Sequence, residues 1–373
     1  MAATDKQARV AVVGAGAVGS YFGGMLARSG VPVTLIARAA HVEAICANKL
    51  FIDAVTFQER VAINASTEIS AARDADVVLF CVKMTDTEEA ARSLAPYLAP
   101  NAIVVSLQNG VDNVPRIHAA SGIDALAAVV YIAAAMPEPG HVKHSGAGSL
   151  AVGELPDREL GVRKLVEHEP ADRMPADREL SDRELADRKL VDRTLADGNN
   201  PSKSSALPPA GRAERIAALF TAAGVPCRVS PDIEADMWSK FVMNCAGNAV
   251  TGITQISYTS LAHSAITPDI FRLVIAETVA VARAAGVKLP EVDFVAEGLK
   301  FLQGVGSGAT SSTAQDLARG KRTEIDSLNG YVVRRGKELG IATPANLVLS
   351  ALVKLLEEKA ADQQRASSHK ASG

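Results

Sequence analysis

The sequence predicts an α/β chain in which a doubly wound, parallel N-terminal sheet is followed by an all-helical C-terminal domain. Three observations predict it. Through residue 110, short β-branched runs alternate with helix-length segments, the βα repetition of a parallel sheet. The first of these runs passes at once into three closely spaced glycines and then a helix. After Asp232 the strand signal ends and apolar stripes of helical period take over.

Val10-Ala11-Val12-Val13 reads as a buried strand, and Ser20 to Arg28 reads as a helix closed by Gly30. Between them Gly14, Gly16 and Gly19 have G-x-G-x-x-G spacing. Strand, glycines and helix in this order suit a dinucleotide pyrophosphate, so the first unit is Rossmann-like. Gly14 permits the tight turn, Gly16 lets the backbone approach the phosphates, and Gly19 lets the helix pack on the strand. The free N–H groups that open the helix and its positive end face the anion, and Ala17 and Val18, between the glycines, are counted with them as cofactor-binding.

A chain of 373 residues is long for one domain and predicts two, and 48% hydrophobic residues suffice for a real core. A net charge of −3 carries no basic excess and argues against a nucleic-acid partner. No apolar run is long enough to span a bilayer, since Ala125 to Met136 is short and leads into Pro137-Glu138-Pro139-Gly140. Residues 1 to 9 contain no apolar signal core, so a cytoplasmic location is expected. Cys46, Cys81, Cys227 and Cys245 form no CxxC pair and are read as reduced thiols. The histidines show no metal-ligand spacing, so no metal is expected.

The second strand, Val33-Thr34-Leu35-Ile36, ends at Ala37-Arg38. An acid at that place would bind a ribose 2′-hydroxyl, whereas the Arg38 guanidinium suits a 2′-phosphate. NADP(H) is therefore favoured over NAD(H); the alternative for Arg38 is a solvated residue at a strand end. Ala40 to Ala47 reads as a helix with Asn48 as its αL cap, and short strands follow near Phe51-Ile52 and Val61-Ile63. Asp76 to Val82 reads as a fully buried strand of the parallel-sheet kind, ending at Lys83, where ligands of open sheets lie. Helix Thr87 to Leu98 precedes strand Ile103 to Leu107, which ends at Gln108-Asn109-Gly110. Asn109 serves either a turn or the nicotinamide and substrate. Val129 to Ala135, His141 to His144 and Ser149 to Val152 read as more antiparallel strands.

From about residue 155 to 211 the composition becomes charged and repetitive, with Ala176-Asp177-Arg178-Glu179-Leu180 recurring at a period of five. That period matches neither a helical stripe nor a heptad. The segment is read as a disordered or transiently helical insertion on a surface loop. Helix Arg212 to Ala223 and strand Val225 to Val229 resume order. The expected division is residues 1–231 for the cofactor domain, 232–366 for a helical substrate domain, and 367–373 for a disordered tail.

A helix opening at Pro231 or Asp232 is apolar nearly all round after Lys240, except at Asn244 and Asn248. Residues four apart share a stripe. A buried ammonium and two buried amides must face something polar, either a cleft or a structural network.

The pattern Trp238-x-Lys240-x-x-x-Asn244-x-x-x-Asn248 resembles the signature of ketopantoate reductases, or 2-dehydropantoate 2-reductases. The opening glycines, Val82-Lys83, Gln108-Asn109-Gly110 and Arg322-Thr323-Glu324-Ile325-Asp326-Ser327-Leu328-Asn329-Gly330 agree with it. The resemblance implies NADPH-dependent reduction of 2-dehydropantoate to pantoate, in pantothenate and coenzyme A biosynthesis. It implies Lys240 as general acid and Glu324 as its acidic partner. Asn244, Asn248 and Ser312 would hold substrate, and Lys83 and Asn109 would line the cofactor side. The family can place an asparagine where this chain has Tyr258. That departure bears on which 2-keto acid is taken, and leaves a related reductase of another 2-keto acid as the alternative. A non-catalytic NADP(H)-binding protein is the other alternative. A second copy of the chain is the candidate protein partner.

Read from the residues alone, Ser312 is also a candidate N-cap, and Thr323 a second one with Glu324 in its first turn. Ile325, Leu328, Val332 and Leu339 form the core stripe of that helix. Thr343-Pro344 opens the last helix, with fraying expected after Asp362.

Overall fold

The structure, a computed structural model, describes residues 8–156, 211–304 and 308–371, with side chains through Arg365. The repeat-bearing insertion lies outside the described residues apart from its outermost positions. Where the chain leaves and returns, Arg212 donates to Glu154 at 3.0 Å and to the Asp124 carbonyl at 2.8 Å.

The strands in chain order are β1 (Val10–Val13), β2 (Val33–Ile36), β3 (Leu50–Ala54), β4 (Gln58–Val61), β5 (Asn64–Ser66), β6 (Val77–Phe80), β7 (Ile103–Ser106), β8 (Leu126–Glu138), β9 (His141–Gly153) and β10 (Cys227–Val229). They form one sheet in the order β4-β3-β9-β8-β7-β6-β1-β2-β5, with β10 also on β9. From β8 through β5 every pairing is parallel, as the βα repetition predicts. The pairs β8–β9 and β3–β4 are antiparallel.

Helix α1 (Ala17–Arg28) explains the shape of this sheet. A Cβ on Gly23 would meet Leu35 and Val12, and one on Gly24 would meet Ile52 and Leu50. The sheet therefore curls around α1 as a half-barrel, with β1 and β2 on one side and β3 on the other. This overturns the expectation that the short strands after Asn48 simply extend the parallel sheet. They form a hairpin that pairs with β9 at the far edge. The three strands read between Val129 and Val152 are two long ones, β8 and β9, with register shifts that the sequence pattern mistook for turns.

Sheet residues alternate between two cores. Val10, Val12, Leu79 and Val105 face α1, whereas Ala11, Val13, Val78, Phe80 and Val104 face the opposite way. On the latter side lie α3 (Thr87–Leu94) and α4 (Asn113–Ser121), following α2 (Ala39–Asn48) in the chain. Helix α2 runs through Asn48 and is capped by Lys49, with φ 63°, rather than by an αL Asn48. Helix α3 stops at Leu94, four residues early, because Pro96 lacks the N–H that would continue the ladder.

The C-terminal part comprises α5 (Arg212–Ala222), α6 (Ile233–Thr254), α7 (Tyr258–His263), α8 (Thr267–Ala284), α9 (Phe294–Gly304), α10 (Ser312–Ala318), α11 (Asn329–Leu339) and α12 (Pro344–Ala371). Ile233, Met237, Trp238 and Phe241 join the core behind β1, β6 and β7, so one hydrophobic core runs across the expected boundary at residue 232. Asp232 caps α6 by accepting from Ala235 N–H at 3.0 Å. Helix α12 continues to Ala371, through the segment expected to fray. No described helix is long and apolar enough to cross a membrane.

Candidate active site

The glycine turn has the geometry its spacing predicts. Gly14 has φ +89°, and a Cβ there would lie 2.6 Å from Val82 N. A Cβ on Gly19 would lie 2.7 Å from the Gly14 carbonyl, whereas one on Gly16 would meet nothing within 4 Å. The open side of the turn is therefore at Gly16, and the N–H groups of Ala17 and Val18 beside it have no backbone acceptor among the described residues. This cradle fits a pyrophosphate. Both Gly14 and Ala15 donate to the Ile36 carbonyl at 3.1 Å, which ties the turn to the end of β2. Two residues on, Arg38 is exposed and free of side-chain hydrogen bonds among the described residues, a placement open to a 2′-phosphate.

Lys240 lies on α6 where β8 runs past the end of β7. The β7 pairing stops at Ala127, so the next stretch of β8 has a free edge. Lys240 Nζ donates to the Val130 carbonyl on that stretch and to Asn109 Oδ1 at 3.0 Å. The Tyr131 ring centre is 5.9 Å from Nζ. Burial lowers the Lys240 pKa to about 8, against the opposing pull of Glu324.

Glu324 forms no direct ion pair with Lys240; Asn109 lies between them. One carboxylate oxygen accepts from Met84 N–H at 3.2 Å. Burial raises the Glu324 pKa, while the Met84 N–H, the charge of Lys83 and the Asn109 amide favour the carboxylate form. Glu324 is not in the first turn of a regular helix, as read from sequence. It precedes a 3₁₀ turn, Ile325–Ser327, where Thr323 Oγ1 accepts from Ile325 N–H at 3.1 Å.

Asn109 is set by its neighbours. Gly110 has φ +89°, which completes the turn at the end of β7. Gln108, quoted in the sequence as part of a motif but given no role of its own, is buried and donates to the Val82 carbonyl at 3.0 Å and to Thr87 Oγ1 at 2.8 Å. It thereby fixes the ends of β6 and β7 against each other. Its place beyond an apolar strand was the available signal.

Lys83 does reach across from the end of β6, but toward the helical part. Its Nζ donates to Asp316 Oδ2 at 3.1 Å and to the Arg322 carbonyl at 3.0 Å. No feature of the sequence singled out Asp316.

The polar stripe on α6 continues through Asn244, half-buried and without a side-chain hydrogen bond among the described residues, to buried Asn248. Asn248 Oδ1 accepts from the Tyr258 hydroxyl at 3.3 Å, and burial pushes the Tyr258 pKa up to about 12. The N-cap of α10 is Ser311, not Ser312: its hydroxyl accepts from Ala314 N–H at 3.0 Å and bonds Thr251 at 2.7 Å. Ser312 is the exposed first residue of that helix, with its hydroxyl free of partners among the described residues.

Two family models match the chain: "Ketopantoate reductase PanE/ApbA" over residues 10–157 and "Ketopantoate reductase PanE/ApbA C terminal" over residues 232–357. The curated 2-dehydropantoate 2-reductase of Halobacterium salinarum is 28% identical, with 94% of this chain and 99% of that protein covered. The enzyme of the same name from Archaeoglobus fulgidus is 29% identical, with 94% and 98% covered. Among solved structures, a PanE/ApbA family ketopantoate reductase from Ralstonia eutropha JMP134 is 42% identical. It has a TM-score of 0.74, with 94% of this chain and 99% of that one covered.

Proposed function

This chain belongs to the ketopantoate reductase family PanE/ApbA, NADP(H)-dependent oxidoreductases acting on a 2-keto acid, and on that premise we propose that it reduces 2-dehydropantoate to pantoate with Lys240 as the general acid. The observation that carries the reading is the set of partners of Lys240. An ammonium has three N–H donors. Two are committed to fixed acceptors, Asn109 Oδ1 and the Val130 carbonyl. The third is left for a substrate oxygen. After giving up that proton, the neutral amine still keeps both of its anchoring bonds.

The residues suit the cofactor. Gly14, Gly16 and Gly19, with the N–H groups of Ala17 and Val18, would hold the pyrophosphate, and Arg38 the 2′-phosphate. When bound, NADPH supplies the hydride. As the ketone carbon gains it, negative charge builds on the keto oxygen. Lys240 stabilises that charge and transfers its free proton, giving the alcohol. Glu324 holds Asn109 in place, and Asn109 holds the ammonium. The Asn244 amide, the NH₂ of Asn248, which has no partner among the described residues, and the Ser312 hydroxyl would take the carboxylate and hydroxyl of the substrate.

A second reading, reduction of another 2-keto acid, is favoured by Tyr258. Its hydroxyl already occupies Asn248 Oδ1, which leaves that end of the stripe a donor beside an aromatic ring. NADPH oxidation with ketopantoate, compared with 2-keto acids lacking the distal hydroxyl, tests both. Highest kcat/KM with ketopantoate supports the first, and a preference for an analogue supports the second. Cofactor binding with no turnover on any 2-keto acid removes both.

A further inference from the structure

The structure places a buried histidine, unused by the chemistry above, at the junction of the cofactor-binding segments. His41 is 6% exposed, in the first turn of α2, and Arg38 is the N-cap of that helix. Its Nδ1 accepts from Gly140 N–H at 2.8 Å, at the turn between β8 and β9. Its Nε2 is 3.1 Å from Ser20 Oγ, and the Ser20 hydroxyl donates to the Ala15 carbonyl at 3.1 Å. Ala15 lies between Gly14 and Gly16 in the glycine turn.

The proton arrangement along this chain is determined by its ends. A backbone N–H only donates and a backbone carbonyl only accepts. Gly140 therefore donates to His41, His41 donates through Nε2–H to Ser20, and Ser20 donates to Ala15. Only the neutral Nε2–H tautomer satisfies every link. Burial and the charge of Arg38 hold the ring below its ordinary pKa, in agreement with that form. The packing leaves little slack, because a Cβ on Gly140 would lie 3.0 Å from that of Ala44 on α2.

We propose that His41 is a positioning residue for the dinucleotide, coupling the glycine turn under the pyrophosphate to the Arg38 helix end that meets the 2′-phosphate. A histidine present only to fill the core would act on stability alone. One acting as a coupler acts on cofactor affinity, and more on the phosphorylated dinucleotide, which uses both ends of the link. The proposal rests on the reading of the glycine turn and Arg38 as the NADPH site.

The test compares the full chain with Ser20→Ala, His41→Asn and His41→Gln. Ser20→Ala cuts the middle link without touching the ring. Asn keeps an acceptor near the Nδ1 position, and Gln a donor near Nε2. Readouts are the dissociation constants of NADPH and NADH, kcat at saturating NADPH, and Tm. Ser20→Ala and His41→Asn are expected to weaken NADPH about tenfold, about 1.4 kcal/mol. NADH is expected to weaken less, with kcat in Ser20→Ala within about twofold of the parent. A fall in Tm with both affinities unchanged, or equal weakening of the two dinucleotides, overturns the proposal. Arg38→Ala separates this from failure of the underlying reading. If that variant binds NADPH as the parent does, the site assignment itself is wrong and His41 falls with it.

Discussion

The ammonium of Lys240 lies 3.0 Å from the carboxamide oxygen of Asn109, a contact between a helix near the middle of the chain and the end of a sheet strand 131 residues earlier. It makes the proposed acid a shared product of the two parts of the fold. The amide satisfies an ammonium that burial would otherwise make costly, and it stands between that ammonium and Glu324. The electrostatic influence of Glu324 on Lys240 is thus exerted across an amide rather than through an ion pair.

Lys240→Ala removes the proton donor and the charge that stabilises the alkoxide. Turnover is expected to fall by about 10²–10⁴-fold, with the dissociation constant for NADPH unchanged. Steady-state NADPH oxidation with a fluorescence titration of the cofactor checks both. Turnover equal to that of the parent removes Lys240 from the mechanism.

The pH dependence has a definite sign. The acid acts in its protonated form, and burial lowers its pKa to about 8. Reduction is therefore expected to be fast below that value and to lose about a factor of ten per pH unit above it. The reverse oxidation, which needs the neutral amine, is expected to rise over the same range. Rate profiles in both directions from pH 6 to 10 make the check.

Asn109→Ala takes away an acceptor that favours the charged ammonium. The alkaline limb of the reduction profile is expected to move to lower pH, because burial is then less well opposed. kcat is expected to drop roughly tenfold or more, in line with the loss of a charge-assisted hydrogen bond of about 1.5–3 kcal/mol. A profile that keeps its midpoint would show that the amide does not set the acidity of Lys240.

Arg38→Ala probes the choice of dinucleotide. A guanidinium on a phosphate is worth about 1.5–3 kcal/mol. KM for NADPH is expected to rise by about one to two orders of magnitude, while KM for NADH hardly changes. Parallel changes in the two would place the 2′-phosphate elsewhere.

Gly16 and Gly19 should respond differently to alanine. In Gly19→Ala the new methyl would press on the Gly14 carbonyl at 2.7 Å and on Val12 at 2.8 Å. Overpacking of this kind costs about 1–3 kcal/mol, so Tm is expected to fall. In Gly16→Ala the methyl meets no protein atom, so Tm is expected to hold while NADPH binding weakens. Loss of stability in Gly16→Ala with affinity intact would contradict the cradle reading.

Local chemistry made the turn legible. The order strand, Gly14, Gly16, Gly19, helix needs only short-range backbone geometry, and the structure reproduces it. The same holds for a helix opening at Pro231 or Asp232, for the parallel core of the sheet, and for the shared face of Lys240, Asn244 and Asn248, which helical period alone dictates. Errors arose where neighbours in space decide. Ser311 rather than Ser312 caps α10 because its buried hydroxyl meets Thr251 on another helix. The strands after Asn48 leave the parallel series because Gly24 admits Leu50 and Ile52 against the far side of α1.

The sequence by itself determined which residues are chemically able to act: a glycine turn for phosphate, an arginine at a strand end, and a lysine on an oily helix. Tertiary structure alone decided what each one meets. The Val130 carbonyl is available to Lys240 only because β8 outruns β7, and Lys83 meets Asp316 only because two distant segments face each other. A pattern along the chain reports the period of a helix or strand. It carries no record of which edge of the sheet is left unpaired, and that unpaired edge is what orients the ammonium.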